Sequence, residues 1–154
     1  MTTIALALLI GVVAGLRAMT APAAVSWAAS LGWLDLGGTW LSLLAYRWTP
    51  WILTALALAE LVNDQLPSTP SRTVPPQFGA RIVTSGLSGA AIGASSGAMI
   101  AGLVAGVVGA IIGTLGGRLF RARLAAALRS DPPAAFIEDA IAIVSAWLIV
   151  ASLS

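Results

Sequence analysis

The sequence predicts an all-α integral membrane protein, a bundle of about five transmembrane helices, and three observations predict it. Of 154 residues, 58% are hydrophobic and 9% charged, against roughly a quarter charged in a soluble domain. Such a chain cannot cover its own surface with polar groups, so its solvent is lipid. Apolar runs recur at the length of about twenty residues that crosses a hydrocarbon core of roughly 30 Å. Glycines fall four apart at Gly89, Gly93 and Gly97, at Gly102 and Gly106, and at Gly109 and Gly113. That small-xxx-small spacing lets membrane helices approach closely.

The first span is 3–29, with Arg17 near its middle and Pro22 as a kink. It lacks a basic leading region, and Arg17 interrupts the stretch where cleavage would fall. The segment therefore reads as a first membrane helix rather than a removed leader. Gly32, Gly37 and Gly38 punctuate the next stretch, while Trp33, Trp40, Trp48 and Trp51 mark an interface favoured by amphipathic rings. A short surface helix is expected at 39–46.

The second span is 49–66, opened by Pro50, whose missing N–H does no harm in a first turn. Glu60 and Asp64 lie one turn apart on one of its faces. It ends in a break that interleaves Pro67, Pro70, Pro75 and Pro76 with Ser68, Thr69, Ser71, Arg72 and Thr73. These are turn and cap residues, and with Arg72 they could cup an anion at a helix end.

Residues 79–128 are too many for one span. The GASSG cluster at 93–97 is the best place to turn, giving spans 79–95 and 98–117, the second continuing as helix to 128. If 79–117 were one tilted span, the count would be four and the two arginine clusters would face opposite sides. Ser130-Asp131-Pro132-Pro133 stops one helix and starts the next, and 134–153 is the last span.

With five spans, Arg72 and Arg81 share a side with Arg118, Arg121, Arg123 and Arg129. Arginine collects in cytoplasmic loops, so the N-terminus is expected inside and the C-terminus outside a bacterial inner membrane.

The absence of His and Cys removes zinc sites, thiol chemistry and imidazole catalysis, and no metal or cofactor is expected. The pI near 10.5 rests on a net charge of only +2, with no basic run interleaved with aromatics, so nucleic acid is not a partner.

GLRAMTAPAAVSWAA at 15–29, AELVNDQLPSTPSRTVPP at 59–76, ARIVTSGLSGAAIGA at 80–94 and the pair Glu138-Asp139 resemble a family of small bacterial multi-pass inner-membrane proteins known as a domain of unknown function. The likeness spans nearly the whole chain, and the LPxTPSRTxP-like segment is its most specific part. It implies a helical inner-membrane protein in which Arg17, Glu60, Asp64, Arg72 and Arg81 belong to a recurring pattern. It carries over no activity and no substrate.

A charge at membrane depth is costly, and such residues face the bundle interior and pair. The simplest pairing is Arg17 with Glu60 on adjacent helices. Glu138 and Asp139, in the early turns of the last span, have Arg81 and Arg118 as natural partners. Thr20, Asn63, Thr69 and Ser71 are secondary polar candidates. Each half thus offers an Arg-bearing helix followed by an acid-bearing one, a charge order consistent with a weak internal repeat.

The first functional reading is a transporter or channel for a small ion or polar solute. The second is a structural or assembly protein whose buried ion pairs only fix helix packing. An enzyme is not expected; an intramembrane enzyme acting on lipid through carboxylates and Ser/Thr is the third reading. So thin a bundle is expected to pair as a homodimer, twofold symmetry being the commonest.

Overall fold

The computed structural model describes residues 2–63 and 75–154. Among them the protein is all-helical, without strands. Six α-helices follow in order: α1 Thr3–Leu16, α2 Thr20–Ser30, α3 Thr49–Asn63, α4 Pro75–Ala94, α5 Met99–Leu128 and α6 Asp131–Ala151. A short 3-10 helix, Trp40–Ala45, lies between α2 and α3, where a surface helix was expected. Two helices, Met99–Leu128 and Pro132–Ala151, are long and apolar enough to cross a membrane.

The predicted span 3–29 is two helices instead of one. Thr2 caps α1 through its hydroxyl, which accepts from the Ala5 N–H at 3.2 Å. The helix stops at Arg17, whose backbone is extended, with φ −142° and ψ 112°. Pro22 explains the restart. Lacking an N–H, it cannot continue a helix through residue 18, yet it fits the first turn of a helix beginning at Thr20, where that N–H would be orphaned anyway.

The glycine ladder sets the core. On α5, a side chain at Gly102 would meet the Gly89 carbonyl, and one at Gly106 the Ser85 carbonyl. On the other flank, side chains at Gly109 and Gly113 would meet α1 at Leu8 and Val12. A Cβ at Gly15 would lie 2.6 Å from the Ala110 carbonyl oxygen and from the Thr114 nitrogen. The backbones of α1, α4 and α5 are thus in direct contact, as the four-residue spacing predicts. The turn between α4 and α5 falls at 95–97, where Gly97 takes φ +74°, conformational space that glycine enters without strain.

Contacts fix the direction of every helix. Gly11 abuts Gly106 and Gly15 abuts Ala110, so α1 and α5 run parallel, while α4 runs antiparallel to both. Trp27 on α2 reaches Thr54 on α3, and the residues just before α2 reach Glu60, so α2 and α3 are antiparallel. Arg17 meets Asp139, and Trp33, just beyond α2, meets Trp147 with ring centroids 5.9 Å apart; α2 therefore descends alongside α6. The chain rises in α1, turns at 16–19, and comes back down in α2.

This alternation sorts the chemistry to two ends. All six tryptophans, Trp27, Trp33, Trp40, Trp48, Trp51 and Trp147, belong to the end holding Thr2, the 95–97 turn and Ser152. Arg17, Arg81, Arg118, Arg121, Arg123 and Arg129 belong to the other. Thr2 and Ser152 lie at the same, tryptophan-bearing end of the bundle. Between the ends the outer surface is apolar, with Ile100, Val83 and Val62 each at least two-thirds exposed.

Candidate functional site at the α1–α2 turn

The turn at 16–19 leaves backbone groups of two helix ends without intrahelical partners, and side chains from the other helices answer them. The Gly15 carbonyl accepts from Arg81 Nη1 of α4 at 3.0 Å and from Thr114 Oγ1 of α5 at 3.4 Å. The Leu16 carbonyl accepts from Arg17 Nη1 at 3.0 Å. On the α2 side, the two oxygens of Glu60 each accept one backbone N–H, from Ala18 and from Met19, both at 2.8 Å. The signs match the helix dipole: cations sit at the C-terminus of α1 and a carboxylate at the N-terminus of α2.

Around this turn is a buried ion cluster. Arg17 Nε donates to Asp139 Oδ1 at 2.5 Å, and Arg17 Nη2 also contacts that oxygen. Arg17 Nη2 lies 3.7 Å from Glu138 Oε2, and Arg121 Nη1 lies 3.7 Å from the same oxygen. Arg17, Arg81 and Glu138 are all at least 98% buried. Removing such groups from water costs several kcal/mol per ion unless partners and hydrogen bonds answer the charge. Among the described residues, Arg17, Arg81 and Arg121 stand near Glu60, Glu138 and Asp139.

The expected pairings are redrawn. Among the described residues, the acids that meet Arg17 are Asp139 and Glu138 from the last helix, because α6 descends beside the turn. Glu60 meets the backbone N–H groups after Arg17. Arg81 serves the Gly15 carbonyl, and the α5 arginine on Glu138 is Arg121, since Arg118 points out to an exposed position. Asn63 is exposed at the end of α3. Thr20 is 8% exposed, and its hydroxyl has no hydrogen-bond partner among the described residues. Asp64, Thr69, Ser71 and Arg72 lie outside the described residues.

Three contributors were not singled out from sequence: Gly15, Thr114 and Arg121. For Arg121 a signal existed. The α5–α6 turn is centred near Arg129 and Ser130, and Arg121 and Glu138 lie at nearly equal distances before and after it, so an antiparallel hairpin brings them level. For Gly15 and Thr114 no local signal marks the role.

Comparison with protein-family models, curated proteins and solved structures finds no match to this chain.

Proposed function

We propose that the protein is a multi-pass transporter or channel of the bacterial inner membrane, passing a small ion or polar solute at the α1–α2 turn. The observation that carries this reading is the coincidence of two helix ends with four buried charged side chains, Arg17, Arg81, Glu138 and Asp139, and the half-buried Glu60 and Arg121, in an otherwise apolar bundle. At 1.5 Å per residue, α1 and α2 are about 21 and 17 Å long, too short to cross a core of about 30 Å. They form a re-entrant hairpin entering from the tryptophan end. Irregular backbone at membrane depth is tolerated where protein buries it or where it lines a polar path. Broken helices of this kind offer N–H groups to anions and carbonyls to cations in many transporters.

The arginine end faces the cytoplasm in this reading, and the tryptophans form the opposite interfacial belt. A homodimer is part of the proposal, since the exposed apolar flanks of α3 and α6 suit helix pairing as well as lipid.

A second reading has its own support. Each carboxylate of the cluster has protein groups within bonding reach, as ion pairs that only pin helix packing would.

Flux into liposomes loaded with the reconstituted protein separates the two. The assay covers protons, monovalent cations, halide, phosphate and small carboxylates. Transport expects wild-type flux of at least one solute, lost in Glu60→Gln and Asp139→Asn variants that remain monodisperse. Unchanged flux in both variants, or none above empty liposomes for any solute, would overturn it. The packing reading expects an Arg17→Leu/Asp139→Leu double variant to keep its fold and its biological role.

A further inference from the structure

Helix α5, Met99–Leu128, has 30 residues and is about 45 Å long, about 15 Å more than a hydrocarbon core of roughly 30 Å requires. Charge divides it. Residues 99–117 carry none, and their outer face is apolar from Ile100 to Leu115. The first charge is Arg118, about 28 Å along the helix. In the proposed membrane placement Arg118 marks the arginine-side border of the hydrocarbon. Arg123 lies about 7 Å further on, at the depth of the lipid phosphates.

An open groove of about 470 Å³ follows this last third of the helix, lined among the described residues by Gly116, Leu119, Phe120, Arg123, Leu124 and Ala127. These positions recur at three- and four-residue spacing, so they share one helix face. Its lower end is apolar and is opened by Gly116, where an added Cβ would meet nothing within 4 Å. Leu119 is 60% exposed and Phe120 42%, apolar surface placed where hydrocarbon gives way to headgroups. Arg123 stands in the upper half. Arg118, Arg123 and Arg129 are all exposed, and among the described residues their side chains make no ion pair or hydrogen bond. Glu138 and Asp139 are buried against Arg17 and Arg121 and do not answer these charges.

We infer that this groove holds one anionic phospholipid of the arginine-side leaflet, its phosphate accepting from Arg123 and the upper part of an acyl chain lying on Leu119 and Phe120. The occupant follows from the order of chemistry along the groove. A phospholipid standing upright presents hydrocarbon below and phosphate above, in the same sequence as Gly116, Leu119, Phe120 and Arg123. A soluble anion has nothing to bond in the apolar half, and a soluble protein does not reach Gly116, inside the hydrocarbon border. Any phospholipid phosphate suits a guanidinium, but the ammonium of a zwitterionic headgroup would approach exposed arginines of like charge. A headgroup of net negative charge meets attraction alone. The inference rests on the membrane placement proposed above, and not on transport.

The test uses the full-length protein in phosphatidylcholine vesicles doped with phosphatidylglycerol that carries a photoactivatable diazirine near the headgroup end of one acyl chain. A phosphatidylcholine probe with the same chains is the comparison, and labelled residues are mapped by mass spectrometry. The phosphatidylglycerol probe should label 116–127 about fivefold more than the phosphatidylcholine probe, the worth of one arginine near an anionic lipid. At Ile100 and Val104, on the same helix, the two probes should label alike. Arg123→Gln should bring the ratio at 116–127 close to one, while Arg47→Gln, at an exposed arginine of the tryptophan end, leaves it intact. High salt should collapse the ratio on the wild-type protein, an arm that does not depend on the folding of any variant. Equal labelling by both probes, or a ratio indifferent to Arg123→Gln and to salt, would overturn the site, as would crosslinks joining two copies through 116–127. Labelling of neither 116–127 nor 100–104 would overturn it together with the membrane placement. Loss of the lipid preference alone leaves the flux experiment, and the transport reading, untouched.

Discussion

Arg17 and Asp139 stand 122 residues apart in the chain, yet Arg17 Nε donates to Asp139 Oδ1 at 2.5 Å, tying the first turn of the fold to its last helix. Removing one partner takes a short charge-assisted hydrogen bond from a buried ion, while Glu138 stays 3.7 Å from Arg17, so the cost is about 1.5–3 kcal/mol. Asp139→Leu and Arg17→Met are each expected to lower stability by that order. The double variant should recover part of the loss, because Glu138 keeps Arg121. Thermal unfolding in detergent micelles across the four proteins measures the coupling. Strict additivity would mean that the pair contributes nothing as a pair.

Glu60 makes a different kind of contact, each carboxylate oxygen accepting one backbone N–H, from Ala18 and Met19. Glu60→Gln keeps the shape of the side chain but replaces one acceptor oxygen with an NH₂ donor, so the two N–H groups of Ala18 and Met19 can no longer both be satisfied. A hydrogen bond to a charged group contributes about 1.5–3 kcal/mol, and a loss within that range is expected. Its specific signature is local. Amide hydrogen exchange at Ala18 and Met19 should quicken, while exchange in the α4–α5 core stays at the wild-type rate. Unchanged protection of those two amides would show that Glu60 does not hold the turn.

The glycines divide into those that set backbone distance and those that do not. Gly15→Ala would place a Cβ 2.6 Å from two backbone atoms of α5, and backbone cannot yield as a side-chain tip does. The expected cost is at least the 1–3 kcal/mol typical of overpacking. At Gly116 an added Cβ meets nothing within 4 Å, so Gly116→Ala should be neutral or stabilise by up to about 1 kcal/mol through helix propensity. Melting temperatures of the two variants against wild type decide the matter, and equal effects would contradict the packing described for α1 on α5.

Much of this was legible before any coordinates. The turn in GASSG, the packing role of the four-spaced glycines, a short helix near residue 40 and the turning of Arg17, Glu138 and Asp139 toward the bundle interior follow from local chemistry or from the cost of burying charge. The partners did not follow, because charge order along a chain does not say which helices are neighbours. The largest miss was the 3–29 span. Its composition suits a continuous membrane helix, and Pro22 reads equally as a kink or as a first-turn residue. What decides between them is tertiary: Arg81, Thr114 and Glu60 supply partners for backbone groups that an uninterrupted helix would have satisfied itself.

That miss has a consequence for topology. If α1 and α2 were one traverse, residues 2 and 35 would lie on opposite sides of the membrane. In the proposed membrane placement the hairpin enters from the tryptophan end, and residues 2 and 35 fall on the same side, together with Ser152. Single cysteines can be introduced at Thr2, Asp35, Ser152 and Arg123, because the chain has none of its own, and probed in intact cells with a membrane-impermeant maleimide. The first three are expected to label without permeabilisation, and Arg123→Cys only after it, since arginine-rich ends stay in the cytoplasm. Labelling of all four in the reverse sense would keep the hairpin and invert the orientation. Labelling of Thr2→Cys and Asp35→Cys from opposite sides would eliminate the hairpin and, with it, the re-entrant site.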